Sequence, residues 1–384
     1  MLYKEEVFRT SGGRRRGGRF RIRPTDLSDV VDPRELGSGG GACSRVARVG
    51  RISDAAFDDL PETIVLSDHP GCHVIPNALT LDQQRRWLRE AVAVLPEPPA
   101  VTNHAARLGT FSGLWRAAVR GEWLAPSESS VDDAGPSGVT SGVEIDDGDA
   151  VCVDDENARA RRVEKTETGE TPRREKKARA HSRWVRHDPP PKRGNPAHSL
   201  AAAHLLEKLR WVTLGPPYDW TARTYRVDAP ARSVPPDLQT ICRRLAAAAG
   251  VPSFGAKVGL VNYYREGDTL AGHVDDAERD LTKPIVSISL GCPAVFLLGG
   301  ETRDTVPTPV LLRSGDAVVL SGASRRWFHG LPRVFTAKEG VVDGQGRALG
   351  PPPEIADPET WTDEPDVARY VAGGRVNISV RDFD

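Results

Sequence analysis

The sequence contains no apolar run that approaches the ~20 residues a membrane-spanning helix needs, so we expect no membrane partner. The amino terminus also lacks the apolar stretch of a secretory signal. Cysteine is scarce: the five cysteines are scattered and form no C-x-x-C pair. This distribution argues against a disulfide framework and a cysteine-rich zinc site, and it favours a reducing compartment.

Net charge is almost absent, since 52 Lys and Arg stand against 53 Asp and Glu in the 384 residues. A value of −1 would argue against a nucleic-acid partner only if the charges were evenly spread, and they are not. Residues 1–23 hold eight Lys and Arg against two Glu, residues 128–156 hold ten Asp and Glu with no Lys or Arg, and residues 159–193 hold thirteen Lys and Arg against five Asp and Glu. The overall balance therefore excludes no partner.

The composition divides the chain into four segments. The acidic block at 128–156 and the basic block at 159–193 are rich in Ser, Gly and Pro and nearly free of aromatic residues. They cannot bury enough apolar surface to offset the entropy lost on ordering. We expect a disordered basic tail over 1–50, an ordered extension of helix and strand over 51–125, a disordered charged insert over 126–198, and a strand-rich domain over 199–384.

The strand-rich segment alternates short apolar runs with Gly and Pro. Strands are predicted at 210–214, 256–264, 284–290, 293–298, 309–313, 316–321 and 374–380. Helices are predicted at 202–209, at 235–249 and near 359–371, and a further helix in the extension is expected to begin after Thr80, an N-cap residue type. Many short strands with tight turns predict an α+β fold with a sandwich or jelly-roll barrel and flanking helices.

Candidate metal ligands lie in this segment. In extended chain, residues i and i+2 point to the same side, so His273 and Asp275 can offer an imidazole and a carboxylate to one ion. His329 follows at the end of another predicted strand. Two histidines and a carboxylate that leave positions open are the set used by non-haem Fe(II) oxygenases. The H-x-D pair alone is a weak signal, and a surface histidine beside a solvated aspartate is the alternative.

The carboxy-terminal run alternates strictly between polar and apolar side chains. One face carries Arg375, Asn377, Ser379 and Arg381. A half-exposed strand whose polar face meets water would explain this pattern. Two arginines inside a small barrel would instead need carboxylates as partners, and a dicarboxylate such as 2-oxoglutarate would supply them.

Taken together, these motifs resemble the AlkB family of Fe(II)/2-oxoglutarate-dependent dioxygenases. The motifs are Asn262-Tyr263-Tyr264, His273-Val274-Asp275, His329 and the run from Arg375 to Arg381. Flanking segments of the sequence resemble the eukaryotic AlkB homologue one branch, at Leu206–Gly215, Phe296–Gly300, Ser314–Asp316 and Ser321–Arg325. The resemblance implies a double-stranded β-helix (jelly-roll) core.

The resemblance also implies roles for individual residues. The implied iron ligands are His273, Asp275 and His329. The implied 2-oxoglutarate-binding residues are Asn262, Tyr264, Arg375, Asn377 and Arg381. Arg375 would hold the distal carboxylate, and Arg381 would support the end near the metal. The implied reaction uses O₂ to oxidise a methyl group on a nucleobase in tRNA or DNA, on adenine or cytosine. A base-reading carboxylate of the bacterial member corresponds here to Ala277, so base preference does not transfer.

Aromatic residues after the 210–214 strand are candidates for stacking on a base. They are Tyr218, Trp220 and Tyr225, and packing in the core or in a lid is the alternative role. A target base must be single-stranded or flipped to reach buried iron. The basic segments could hold phosphate groups, but for 159–193 we favour a solvated linker or a nuclear-import signal.

Three functions remain open at this point. The first is a nucleic-acid demethylase, and the second is an oxygenase that acts on a protein such as a histone. The third is a binding protein whose jelly roll no longer catalyses a reaction. The intact ligand set and both arginines argue against the third. We expect a monomer located in the nucleus or the cytoplasm, with the mitochondrion as a further possibility because of the Arg-rich start.

Overall fold

The computed structural model describes residues 27–36, 46–50, 57, 59–125, 183–186, 200–219, 224–343 and 345–382. The chain separates into two units. The first unit holds residues 1–102 and 210–384, and the second holds residues 103–209.

Short strands account for most of the regular structure. In chain order they are β1 (Val46–Gly50), β2 (Thr63–Leu66), β3 (Cys72–Ile75), β4 (Trp123–Ala125), β5 (Arg183–Val185), β6 (Leu200–Ala201), β7 (Trp211–Leu214), β8 (Tyr218–Asp219), β9 (Thr224–Tyr225), β10 (Val258–Arg265), β11 (Leu270–His273), β12 (Ile285–Gly291), β13 (Ala294–Leu298), β14 (Thr308–Leu312), β15 (Ala317–Leu320), β16 (His329–Val334) and β17 (Gly374–Arg381).

The helices are short apart from two of thirteen residues each. In chain order they are α1 (Pro33–Leu36), α2 (Leu81–Ala93), α3 (Ala105–Leu108), α4 (Leu114–Val119), α5 (Ala202–Glu207), α6 (Pro236–Ala248), α7 (Pro353–Ala356) and α8 (Pro365–Ala372). No helix within the described ranges is both long enough and apolar enough to cross a membrane.

Two antiparallel sheets build the first unit. The large sheet has the strand order β1-β2-β3-β15-β12-β17-β10-β7, and the small sheet has the order β11-β16-β13-β14. Side chains from both sheets share one core cluster, in which Val74 and Val318 of the large sheet meet Val310 and Leu312 of the small sheet. This interleaved order with a core between two sheets is that of a jelly roll. It confirms the predicted α+β class with a double-stranded β-helix core and flanking helices.

The helices of the first unit form where the sequence supplies the right ends. Thr80 caps α2 through a reciprocal pair of hydrogen bonds with Gln83, a capping box that satisfies two otherwise unpaired groups at the helix start. α2 buries Trp87 and Leu88, and the hydroxyl of Tyr263 on β10 donates to the carbonyl of Ala91 at 2.5 Å. This bond ties the helix to the large sheet.

The predicted strands of the carboxy-terminal segment are all present, with ends within two residues of those expected. The sequence did not predict β6, β8, β9, β11 or β16, and His329 begins β16 instead of ending a strand. The reason is local: β16 contains Gly330 and Pro332, residue types that weaken a strand pattern in the sequence. The third predicted helix is later and shorter than expected, and α7 precedes it.

Part of the segment predicted as a disordered tail is ordered. In residues 27–36, Val31 forms a parallel bridge with Val310 of β14, and the Asp32 carboxylate accepts two hydrogen bonds from the Arg313 guanidinium at 2.5 and 2.6 Å. The basic composition of the first residues concealed this short apolar stretch and its partners. Residues 1–26 and 37–45 lie outside the described residues.

The second unit contains a three-stranded sheet in the order β5-β4-β6. β5 lies inside the segment 126–198 that we expected to be disordered. Trp184 explains the difference, because its ring packs edge-on against Phe111 with centroids 5.7 Å apart and its Nε1–H donates to the Ser112 carbonyl. Residues 126–182 and 187–199 lie outside the described residues, so the remainder of that prediction stays a prediction.

Candidate metal and co-substrate site

Two histidines face each other across neighbouring strands of the small sheet. β11 ends at His273 and β16 begins at His329, and the two residues are direct partners in the antiparallel register. Their ring centroids lie 4.5 Å apart. Strand pairing therefore brings together two imidazoles that are distant in the sequence.

Asp275 completes a three-residue cluster two positions after His273. Its Oδ1 lies 3.8 Å from Nε2 of His273, and its Oδ2 lies 3.7 Å from Nε2 of His329. The three donor atoms all lie within 4.8 Å of one another, which is close enough for one ion to touch them all. The structure thus brings the three predicted metal ligands to one point.

A backbone carbonyl beside Nδ1 of each histidine fixes the tautomer and the orientation of the ring. Nδ1 of His273 lies 3.0 Å from the carbonyl oxygen of Ala271, and Nδ1 of His329 lies 3.2 Å from that of Trp327. A carbonyl oxygen only accepts, so Nδ1 carries the hydrogen in both rings and the Nε2 lone pairs face Asp275. Imidazoles held in this way are the usual metal-binding form, and a set of two imidazoles and one carboxylate suits Fe(II).

The electrostatics favour the metal-binding protonation states. Burial alone would raise the pKa of Asp275, but the Arg381 guanidinium lowers it well below its usual range. Burial and the neighbouring His273 lower the pKa of His329 to about 4. At neutral pH the cluster therefore offers a carboxylate and a neutral imidazole without first releasing protons from these two groups.

A row of polar side chains crosses the centre of the large sheet. In the register of β10 and β17, Asn262 lies opposite Asn377 and Tyr264 lies opposite Arg375. On the other side of β17, Ser289 of β12 also lies opposite Asn377. Because alternate strand residues share a face, these predicted co-substrate residues lie on one surface of three adjacent strands.

Arg375 is a buried cation that forms no ion pair with any carboxylate of the described residues. The residue is 1% exposed, Nη2 donates to the Ser289 hydroxyl at 2.7 Å, and Nη1 donates to the Cys292 carbonyl at 3.4 Å. Its Nε has no hydrogen-bond partner, and within the described ranges no carboxylate lies at ion-pair distance. Burial lowers the pKa of Arg375 to about 10, so it stays charged at neutral pH. A buried charge needs a counter-ion, and a carboxylate of 2-oxoglutarate fits this need.

Arg381 differs from Arg375 because carboxylates already surround it. Nη2 lies 3.2 Å from Oδ2 of Asp275, and Nη1 lies 3.1 Å from Oε1 of Glu278. The structure therefore places Arg381 at the metal end of the site, where it holds a predicted ligand. Asn377 lies between the two arginines on β17 and donates to the Ser287 hydroxyl at 2.8 Å.

The aromatic candidates lie on a two-stranded hairpin. Tyr218 of β8 pairs with Tyr225 of β9, and their rings meet edge to face with centroids 5.1 Å apart. The Tyr225 hydroxyl donates to Oε1 of Glu278 at 2.9 Å, which links the hairpin to the metal end of the site. Trp220 lies outside the described residues, so its predicted role stays a prediction.

Two residues at the site were not assigned from the sequence. Arg325 is 1% exposed and donates to the Glu278 carboxylate and to the Asp275 carbonyl. Glu278 itself is buried. Arg325 lies in Ser321–Arg325, a run that carried the family resemblance without a stated role, and Glu278 lies beside Ala277. The sequence therefore contained both residues, but only the fold shows that they meet.

Comparison with known proteins agrees with this geometry. Residues 162–381 match the 2OG-Fe(II) oxygenase superfamily. The chain is 32% identical over 365 residues to a protein named DNA N(6)-methyladenine demethylase ALKBH1A from Arabidopsis thaliana, an alignment that spans 94% of this chain and 88% of the relative.

Two further relatives match a smaller part of the chain. It is 41% identical over 182 residues to the human protein named Nucleic acid dioxygenase ALKBH1, covering 46% of each chain. It is 39% identical over 130 residues to the Schizosaccharomyces pombe protein named tRNA demethylase abh1, covering 34% of this chain and 43% of the relative. With the jelly roll and the His-Asp-His cluster, these matches show that the chain is a 2-oxoglutarate-dependent dioxygenase of the AlkB family.

Proposed function

We propose that this dioxygenase removes methyl groups from adenine or cytosine bases in tRNA or DNA. The observation that carries the proposal is the cluster of His273, Asp275 and His329 donors in the same jelly roll as the buried Arg375, whose Nε has no hydrogen-bond partner. The names of the relatives, which include DNA and tRNA demethylases, support the substrate class.

The residues divide into a metal-holding set and a co-substrate-holding set. Fe(II) would be held by the two Nε2 atoms and the Asp275 carboxylate, which leaves positions for the co-substrate. The distal carboxylate of 2-oxoglutarate would pair with Arg375, whose Nε is otherwise unpartnered. Asn262 and Tyr264 would hydrogen-bond the same molecule from β10. These assignments follow from the register of β10 and β17.

Fe(II) with 2-oxoglutarate and O₂ supplies the oxidising chemistry: 2-oxoglutarate is converted into succinate and CO₂ as one oxygen atom enters a methyl C–H bond. A hydroxymethyl group on nitrogen then leaves as formaldehyde and returns the N–H. The protein contributes positions and charges. Arg381 keeps Asp275 ionised, and the carbonyls bound to Nδ1 keep both histidines in one tautomer.

On the substrate side, a base stacked in a duplex cannot reach buried metal ligands. The target is therefore a single-stranded, looped or flipped base. Tyr218 and Tyr225, paired on their hairpin and linked to the metal end through Glu278, would form one wall of a base pocket. Stacking on such rings contributes about 1–3 kcal/mol per base.

A substrate panel tests the proposal. Purified protein with Fe(II), 2-oxoglutarate and O₂ is incubated with methylated tRNA stem-loops, single-stranded DNA, duplex DNA and a methylated histone peptide. Mass spectrometry then measures loss of methyl groups. We expect loss from at least one nucleic acid and none from the peptide. Oxidation of the peptide alone would overturn the proposed substrate class while leaving the dioxygenase assignment intact.

Assembly and location also belong to the proposal. The three metal-facing residues lie together within one chain, and we propose that the protein acts as a monomer. The basic segments that suggest a nuclear or cytoplasmic location, or a mitochondrial one, fall largely outside the described residues. Their contribution to localisation and to phosphate binding stays a prediction.

A further inference from the structure

A buried carboxylate lies next to the metal face and links several residues of the site. Glu278 follows Asp275 by three residues, and its side chain is 0% exposed. Oε2 accepts from Nη2 of Arg325 at 2.7 Å, and Oε1 accepts from Nη1 of Arg381 at 3.1 Å and from the Tyr225 hydroxyl at 2.9 Å. Both carboxylate oxygens therefore already accept hydrogen bonds from the protein.

The loop that carries Asp275 and Glu278 is closed by one guanidinium. Arg325 donates through Nε to the Lys283 carbonyl at 2.9 Å and through Nη1 to the Asp275 carbonyl at 2.5 Å, in addition to its bond with Glu278. The planar fork of an arginine fixes three acceptors in one geometry. The backbone of a predicted metal ligand is therefore held by a residue whose charge Glu278 balances.

Glu278 also shares Arg381 with the metal face. The Arg381 guanidinium lies 3.2 Å from Oδ2 of Asp275 and 3.1 Å from Oε1 of Glu278. If Glu278 lost its charge, Arg381 would be left with Asp275 as its ionic partner and would bind the Asp275 carboxylate more tightly. The local charge would also become more positive. Each of these changes is expected to weaken the binding of a divalent cation.

The geometry points to Glu278 as a positioning residue: through Arg325 and Arg381 it sets the Asp275 carboxylate for the metal, and it does not read the substrate base. The inference rests on the proposed function for the identity of the metal and the co-substrate. A base-reading carboxylate must be reached by an exocyclic amino group of the substrate. The Glu278 side chain is 0% exposed, and both of its oxygens already accept hydrogen bonds from Tyr225, Arg325 and Arg381.

The bond from Tyr225 adds a second consequence. The hydroxyl of Tyr225 and the guanidinium of Arg381 donate to the same oxygen of Glu278. This shared acceptor connects the hairpin of β8 and β9 to the metal end of the site. Tyr225→Phe removes this fastening and leaves the Arg325 and Arg381 contacts in place. We expect it to raise KM for the oligonucleotide while metal affinity stays within about twofold.

The test measures metal binding in the absence of substrate. Fe(II) is titrated into Glu278→Gln and wild-type protein under anaerobic conditions with 2-oxoglutarate present, and the visible charge-transfer band of the ternary complex is followed. We expect Glu278→Gln to need roughly 10- to 100-fold more Fe(II), the range seen when groups behind metal ligands are removed.

A second measurement uses substrate. The ratio of demethylation rates between methyladenine and methylcytosine oligonucleotides is expected to stay as in wild type. Unchanged Fe(II) affinity would overturn the proposal, as would a shifted base ratio.

Two further variants keep the test decisive. Asp276→Asn removes a neighbouring exposed charge and is expected to leave Fe(II) affinity within about threefold, since exposed charges are screened. Arg325→Lys keeps the charge but not the three-point fork, and if Glu278→Gln does not fold, an unaltered Fe(II) titration of Arg325→Lys overturns the proposal. Because the titration contains no nucleic acid, failure of the proposed substrate class leaves its outcome unaffected.

Discussion

The guanidinium of Arg381 lies 3.2 Å from Oδ2 of Asp275, the oxygen that faces the His329 ring. This one contact joins the large sheet, which carries Arg381 on β17, to the loop that follows β11 of the small sheet. It keeps the Asp275 carboxylate ionised and oriented. The chemistry of the site therefore depends on the packing of the two sheets as well as on the ligands themselves.

Removal of a metal-facing donor is expected to abolish metal binding. His273→Ala and Asp275→Ala each leave two of three donors, so both variants should lose 2-oxoglutarate turnover and retain the fold. Isothermal titration with Fe(II) under anaerobic conditions, together with succinate production, measures both effects. His204→Ala, which changes a histidine of the second unit, is the control. Retained turnover in either variant would refute the metal assignment.

Arg375→Ala is expected to raise the requirement for 2-oxoglutarate about 10- to 100-fold, because a charge-assisted pair contributes about 1.5–3 kcal/mol. Fe(II) affinity measured without 2-oxoglutarate should change little, since Arg375 contacts none of the three donors. Steady-state KM for 2-oxoglutarate at saturating Fe(II) checks this prediction. Arg375→Lys keeps the charge and should give an intermediate KM, whereas an unchanged KM in both variants contradicts the role of Arg375.

The ordered part of the amino-terminal segment is expected to contribute to stability. Arg34 donates to Oδ1 of Asp316 at 2.8 Å, and the Asp316 side chain is 0% exposed. Arg34→Ala removes the ionic partner of this buried carboxylate, so we expect a loss of about 1–3 kcal/mol in the free energy of unfolding. Urea unfolding of Arg369→Ala, whose partner Asp366 is exposed, provides the control and should change by less than about 0.5 kcal/mol. Equal effects in the two variants would exclude a structural role for this pair.

Acid stability of the metal-free protein should depend on His329. Burial lowers the pKa of His329 to about 4 from an ordinary value of 6.5. Between these two pH values the unfolded chain binds a proton that the native chain does not, so stability falls as the pH falls through this window. The fall should reach up to about 3 kcal/mol. Thermal unfolding of metal-free wild type and His329→Gln from pH 7 to pH 4 measures it, and parallel curves for the two proteins would contradict the prediction.

Much of the site could be predicted because its residues lie on strands with clear alternation. Arg375 and Asn377 follow a strict period of two on β17, so their shared face follows from strand geometry. Asp275 lies two residues after His273 in the loop that follows β11, and this short spacing also keeps the two side chains close together. The family motifs then supplied the partners. These local rules do not depend on tertiary contacts.

Other parts depend on contacts that a linear pattern does not contain. Glu278 and Arg325 meet only because the loop after β11 folds against the 3-10 helix Gly322–Arg326 that precedes β16. Val31 becomes ordered only by pairing with Val310. Gly330 and Pro332 hide the strand that presents His329. In each case a distant partner decides the structure, and the local composition alone predicts the opposite.

The most direct test of the account is the stoichiometry of a single reaction. A methylated single-stranded oligonucleotide is incubated with the protein, Fe(II), 2-oxoglutarate and O₂, and formaldehyde, succinate and the unmethylated base are quantified together. We expect the three products to appear in equal amounts and His273→Ala to form none of them. Succinate without formaldehyde or base repair, across every methylated nucleic acid in the panel, would contradict it.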